Sequence, residues 1–143
     1  MLVASILKAK GHAVTSAPPE TTVAQAVEIL KRERIGVIVV VDTGGALAGI
    51  LSERDIVHAL ASAGTDFLQH PISEFMTAAV VCCTPSQTLE DLMREMTNRR
   101  IRHLPVLEEG RLTGIISIGD VVKYRLGELQ AERDALQEYI ATG

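Results

Sequence analysis

The stretch Gly49-Ile50-Leu51-Ser52-Glu53-Arg54-Asp55-Ile56-Val57 returns later in the chain as Gly114-Ile115-Ile116-Ser117-Ile118-Gly119-Asp120-Val121-Val122. Working upstream, Pro19, Thr22, Arg34, Ile35, Val40 and Gly44 reappear as Pro85, Thr88, Arg100, Ile101, Val106 and Gly110. The offset is 66 residues and drops to 65 where the Gly44-Gly45 turn loses one residue. A period this long marks one supersecondary unit copied, and two copies bury a shared face. A site built on one copy is therefore expected to have a counterpart on the other.

Each copy reads in the same order. Thr22 is placed as a helix N-cap with Gln25 closing a capping box, and Thr88 with Asp91 does the same in the second copy. Val23, Ala26, Val27 and Leu30 then form an apolar stripe at helical spacing, matched by Leu89, Leu92, Met93 and Met96. The β-branched run Val37 to Val41 predicts a strand buried on both faces. Asp42-Thr43-Gly44-Gly45 predicts a hairpin turn into a second strand, Ala46 to Leu51. Leu104 to Leu107, the turn Glu108-Glu109-Gly110 and Leu112 to Ile116 repeat that hairpin. A helix follows from Asp55 to about Ala63, and another from Asp120 onward. With a short strand at Val14-Thr15 or Val80-Val81, each unit is β-α-β-β-α. The linker from about Gly64 to Met76 is expected to lie on the surface. Leu126, Leu129, Leu136 and Ile140 extend the last helix with an apolar seam suited to packing on a second subunit.

Composition narrows the function. The 143 residues suffice for one domain or two small ones sharing a core, and a single half would be marginal alone. The hydrophobic content of 47% is that of a well-packed soluble chain, and a net charge of −4 argues against general binding to nucleic acid or anionic membranes. Aromatics are 3% with no Trp, leaving no stacking platform for single strands. No apolar run is long enough to span a bilayer and the N-terminus lacks a secretory pattern, so the expected location is the cytoplasm. Adjacent Cys82 and Cys83 point to opposite faces of a strand, which disfavours a bond between them. His12, His58, His70 and His103 lack metal-ligand spacing, so no metal site is expected.

The repeated Ser-x-x-Asp carries the chemistry, and it has two readings. Ser52 and Ser117 serve as N-caps, with Asp55 and Asp120 closing capping boxes and favoured by the helix dipole. The same geometry suits a ligand, because helix-start N–H groups attract an anion and a carboxylate accepts from ribose hydroxyls. Two such motifs at matching places in a repeat strengthen the second reading.

The β-α-β-β-α repeat ending in Gly-h-h-Ser-x-x-Asp-h (h, hydrophobic) resembles the CBS domain, named after cystathionine β-synthase. The tandem pair resembles a Bateman module over nearly the whole chain, from about Ile6 to Leu129. The resemblance implies an α/β (α+β) fold: two pseudo-symmetric repeats packed as one disc, with an extended C-terminal helix. The expected boundaries are 8–66 for the first domain, 74–132 for the second and 133–143 for the helix extension. It also implies adenine nucleotides (AMP, ADP, ATP or NAD) bound as regulatory ligands in clefts between the repeats, without metal. By resemblance, Asp55 and Asp120 bind ribose, and Ser52 and Ser117 bind phosphate or ribose. The bases are placed near Thr15, Val81 and Val37. Arg100 to Val106 resembles the phosphate-holding basic stretch of AMP-sensing members of the family. Arg102 and His103 sit in its basic positions, with the order of Arg and His reversed. Gly36 and Val37 stand there in the first copy, where Arg54 is expected to supply the missing charge; Gly119 holds the Arg54 place in the second. The clefts are thus expected to differ in phosphate handling. The alternative for Arg99, Arg100 and Arg102 is a solvated basic face balanced by Glu90, Asp91 and Glu95.

Two functions compete. One is a ligand-sensing regulatory module, a homodimer that passes its state to an effector protein. The other is a dimeric structural scaffold whose polar motifs are only caps. An enzyme is not expected, since there is no nucleophile–base pairing, Walker-type loop or metal cluster.

Overall fold

Local hydrogen bonds fix where the helices of each repeat begin. The computed structural model describes residues 1–143. The order is α1 (Val3–Lys10), β1 (Ser16–Ala17), α2 (Val23–Glu33), β2 (Val37–Val41), β3 (Leu47–Ser52), α3 (Glu53–Ala63), α4 (Leu89–Arg99), β4 (His103–Glu108), β5 (Arg111–Ser117) and α5 (Ile118–Thr142). Two 3₁₀ turns, Thr65–Gln69 and Ile72–Glu74, join the halves. Helices α2, α3, α4 and α5 all start in complete capping boxes, at Thr22, Ser52, Thr88 and Ser117. Helices α2 and α4 end on Arg34 and Arg100, both in the left-handed region, at φ 54° and 53°.

The first repeat forms a three-stranded sheet in which β1 runs parallel to β2 and β2 antiparallel to β3. The second forms the antiparallel pair β4–β5. In place of a first strand, Cys83 makes a single parallel bridge to Val106. Both first-strand pairings fall beyond the positions read from sequence: β1 lies just after Val14-Thr15, and the bridge at Cys83 just after Val80-Val81. The apolar residues that suggested strands there line the cleft instead. Val37 to Val40 are buried as the β-branched run requires.

The segment ahead of each repeat packs on the other one. Val3, Ile6 and Leu7 of α1 join Leu89, Leu92, Leu104, Val106 and Ile116 in one core cluster. Phe67 and Ile72 join Val23, Ile38, Val40 and Leu51 in the second. The linker expected on the surface is therefore an anchor, because two apolar side chains in a polar stretch suffice to pin it. Phe67 meets Phe75 edge-on at 5.5 Å, a favoured aromatic geometry. Both approaches depend on glycine. A Cβ on Gly114 would lie 2.5 Å from Leu7 Cδ2, and one on Gly49 would lie 2.6 Å from Met76 Sδ and 2.9 Å from the Thr77 carbonyl oxygen.

Candidate functional site

The two Ser-x-x-Asp motifs open onto two cavities, and each cavity is built across the repeats. The helix starts explain this. The first N–H of α3, on Glu53, donates to the Gly36 carbonyl at 3.0 Å, and that of α5, on Ile118, to the Arg102 carbonyl at 2.8 Å. Each motif is thereby pinned beside the start of its own repeat's central hairpin, facing the other repeat.

Cavity one, about 290 Å³, is lined by Ser52, Glu53, Arg54 and Asp55, by Thr77 and Val81, and by Arg100, Arg102 and His103. Cavity two, about 380 Å³, is lined by Ser117 and Asp120, by Val14 and Thr15, and by Lys10, Arg34 and His103. Both volumes lie near the lower end of small-molecule sites. Gly36, Val37 and His103 border both. All ten residues singled out from sequence thus line one cavity or the other. One pairing differs. Arg54 was expected to serve a cleft lacking Arg102 and His103, yet all three line cavity one. Counting charge along each repeat misses this, because a motif's cavity is completed by the opposite repeat.

The carboxylates differ in their partners. Asp55 Oδ2 accepts from the Ser52 N–H at 2.8 Å, and Oδ1 lies 3.4 Å from the Thr77 hydroxyl. Asp120 Oδ2 accepts from the Ser117 N–H at 2.8 Å, the Ser117 hydroxyl at 3.0 Å and the Lys10 ammonium at 2.6 Å. Burial pushes the Asp120 carboxyl up, but the Lys10 and Ser117 bonds outweigh it and hold it below the ordinary value. Burial lowers His103; Lys10 and Arg102 add to this, while Asp120 and Glu53 oppose it.

The cations of cavity one are free. Arg99 pairs with Glu95 at 2.7 Å and Arg94 with Asp91 at 3.7 Å, whereas Arg54, Arg100 and Arg102 enter no ion pair. The acidic face of α4 therefore balances Arg94 and Arg99, leaving Arg100 and Arg102 for the cavity. Lys10, Arg34, Glu53 and Thr77 escaped the sequence reading, which reached Arg100 only as the start of the basic stretch. The repeat carried a signal for Arg34, since Arg34 and Arg100 are equivalent helix-ending residues. Cys82 and Cys83 are both free thiols, and burial pushes Cys83 up to about 12, with Cys82 adding to the effect. No helix is long and apolar enough to cross a membrane, and no group of three or more His, Cys, Asp or Glu is placed to hold a metal ion.

This architecture, with its paired motifs, is that of a tandem repeat with a cleft at each motif. The CBS domain profile matches residues 11–62 and 72–127, and the chain belongs to the CBS-domain family. The CBS-domain protein ATU1752 from Agrobacterium tumefaciens is 45% identical, with a TM-score of 0.85 over 87% of this chain and 99% of that one. The mitochondrial CBS domain-containing protein CBSX3 of Arabidopsis thaliana is 32% identical over 99% of this chain and 72% of its own length. The CBS domain pair of protein MJ0100, solved in complex with 5′-methylthioadenosine and S-adenosyl-L-methionine, is 26% identical. Its TM-score is 0.79 over 90% of this chain and 98% of that one.

Proposed function

We propose that the chain is a regulatory module that senses adenosine nucleotides (AMP, ADP, ATP or NAD) in its two cavities and passes their occupancy to a partner protein. The observation that carries this reading is the position of the repeated motif. All four capping boxes form, so capping alone does not distinguish Asp55 and Asp120 from Gln25 and Asp91. The boxes at Ser52 and Ser117 line the two cavities, and those at Thr22 and Thr88 line neither of them. Both ligands of the MJ0100 pair are adenosines altered at the 5′ position. A ribose diol suits the two carboxylates, and a 5′-phosphate suits Arg54, Arg100 and Arg102. The role is binding and not catalysis, in the cytoplasm.

The module works as a homodimer. Leu126, Leu129, Leu136 and Ile140 on α5 are exposed large apolar side chains, as are Val57 and Leu60 on α3 and Ile118 and Val122 on α5. These exposed side chains also support the second reading, a dimeric scaffold. Truncation after Lys123 is expected to weaken the dimer, measured by light scattering; an intact chain that is monomeric at micromolar concentration contradicts the dimer.

Thermal melting with AMP, ADP, ATP and NAD, and a pyrimidine nucleotide as control, tests the sensor reading. A ligand at 100-fold its Kd stabilises the native state by about 2.7 kcal/mol per site. No shift with any purine nucleotide, and no nucleotide released from the purified protein in mass spectrometry, leaves the scaffold.

A further inference from the structure

We propose that Lys10 is a specificity-determining residue of cavity two: its ammonium competes with a ribose diol for Asp120, so nucleosides fill cavity one first and cavity two only by displacing Lys10. This rests on the nucleotide reading above. The Lys10 ammonium donates to Asp120 Oδ2 at 2.6 Å and to the Ile115 carbonyl at 2.7 Å. With both Ser117 donors also on Oδ2, that oxygen is saturated, while Oδ1 has no protein partner. A vicinal diol offers two O–H donors to two carboxylate oxygens, and in cavity two only one is open. The side chains of Lys10 and Asp120 are 24% and 19% exposed, so water screens the pair only in part.

Lys10 is also held where it is. It ends α1, whose Ile6 and Leu7 are buried in the second repeat's core. Just beyond it, His12 Nδ1 lies 2.8 Å from the Thr113 carbonyl oxygen. The repeat supplies the contrast. Leu2 bridges Thr88 as Pro71 bridges Thr22, so the segment ahead of the second repeat runs 69 residues on from that ahead of the first, and Met76 over Gly49 answers to Leu7 over Gly114. At that offset Ala79, on the wall of cavity one, stands in the place of Lys10. No cation competes for Asp55.

Calorimetric titration of AMP into the intact wild-type chain and Lys10→Met tests the competition. The wild type is expected to show a tight and a weak event. Lys10→Met keeps the apolar stem and is expected to tighten the weak event roughly fivefold, leaving the tight one unchanged. A weakened or unaltered weak event overturns the proposal. The wild type alone gives a second measure: acetylation of the Lys10 amine, read by peptide mass spectrometry, is expected to rise at saturating AMP as the ammonium is freed. A fall, as for a lysine that contacts the ligand, or no change overturns it. Two binding events indifferent to Lys10→Met remove this inference alone. No AMP binding in either protein removes the nucleotide reading and this inference with it.

Discussion

Asp55 and Asp120 hold the same place in the two repeats, each closing a capping box at a cavity wall, yet their surroundings differ. Asp55 meets a single close backbone donor and a cavity edged by three unpaired arginines. Asp120 is tied to Lys10 in a cavity whose other full cation is Arg34. The difference arises outside the motif. Segments ahead of each repeat cross to the other one, and these put Lys10 beside Asp120 but Thr77 beside Asp55. A duplicated fold keeps its scaffold through the repeated caps and hairpins, and it diversifies through what crosses over.

The largest expected effect removes the platform for Lys10. Leu7→Ala takes a buried side chain from the core that docks α1, at a cost of about 2–5 kcal/mol in denaturant unfolding. Cavity two is expected to lose its ion pair with it, while cavity one keeps its ligand affinity. Equal loss of AMP binding at both cavities would show that α1 does not set the two cavities apart.

Charge removal at the motifs comes next. Asp55→Asn is expected to weaken AMP in calorimetry by roughly 1.5–3 kcal/mol, because charge-assisted bonds to the ribose hydroxyls are lost. Asp120→Asn, whose carboxylate is already engaged, is expected to cost less affinity and instead about 1 kcal/mol of stability. The Asp120 carboxyl is held below its ordinary value, so its stabilisation is present above the unfolded-state value. It is lost as pH falls through the folded one. An acid-unfolding profile that Asp120→Asn leaves unaltered would contradict this.

Arg102→Ala sharpens the contrast between ligands. AMP at cavity one is expected to weaken by about 1 kcal/mol, with adenosine spared, since only the phosphate requires the cation. Equal weakening of both would assign Arg102 to packing.

The smallest effect is on pH. Burial lowers His103, so the unfolded state holds its proton more tightly and apo stability is expected to fall as pH drops below about 6.5. A phosphate beside His103 favours the charged ring, so the AMP-over-adenosine preference is expected to grow on acidification. A flat preference between pH 7.5 and 6 would remove His103 from phosphate contact.

Much of this was legible in the repeat itself. Capping residues, the β-branched run at Val37 and the hairpin glycines are local signals, and the motif residues fell on cavity walls because local geometry puts a helix start at a strand end. The crossed segments were not legible. Their packing is decided by a few apolar anchors, Ile6 and Leu7 in one case and Phe67 and Ile72 in the other. These look unremarkable in sequence until the opposing core is known. The grouping of Arg54 with Arg102 escaped for the same reason, since it is set by the docking of one repeat on the other.

The most direct test of nucleotide binding is a crystal structure of the chain grown with saturating AMP. AMP is expected in cavity one, with ribose hydroxyls at about 2.7 Å from the Asp55 carboxylate and phosphate among Arg54, Arg100 and Arg102. Nucleotide bound away from Asp55, or both cavities free of nucleotide under those conditions, would contradict it.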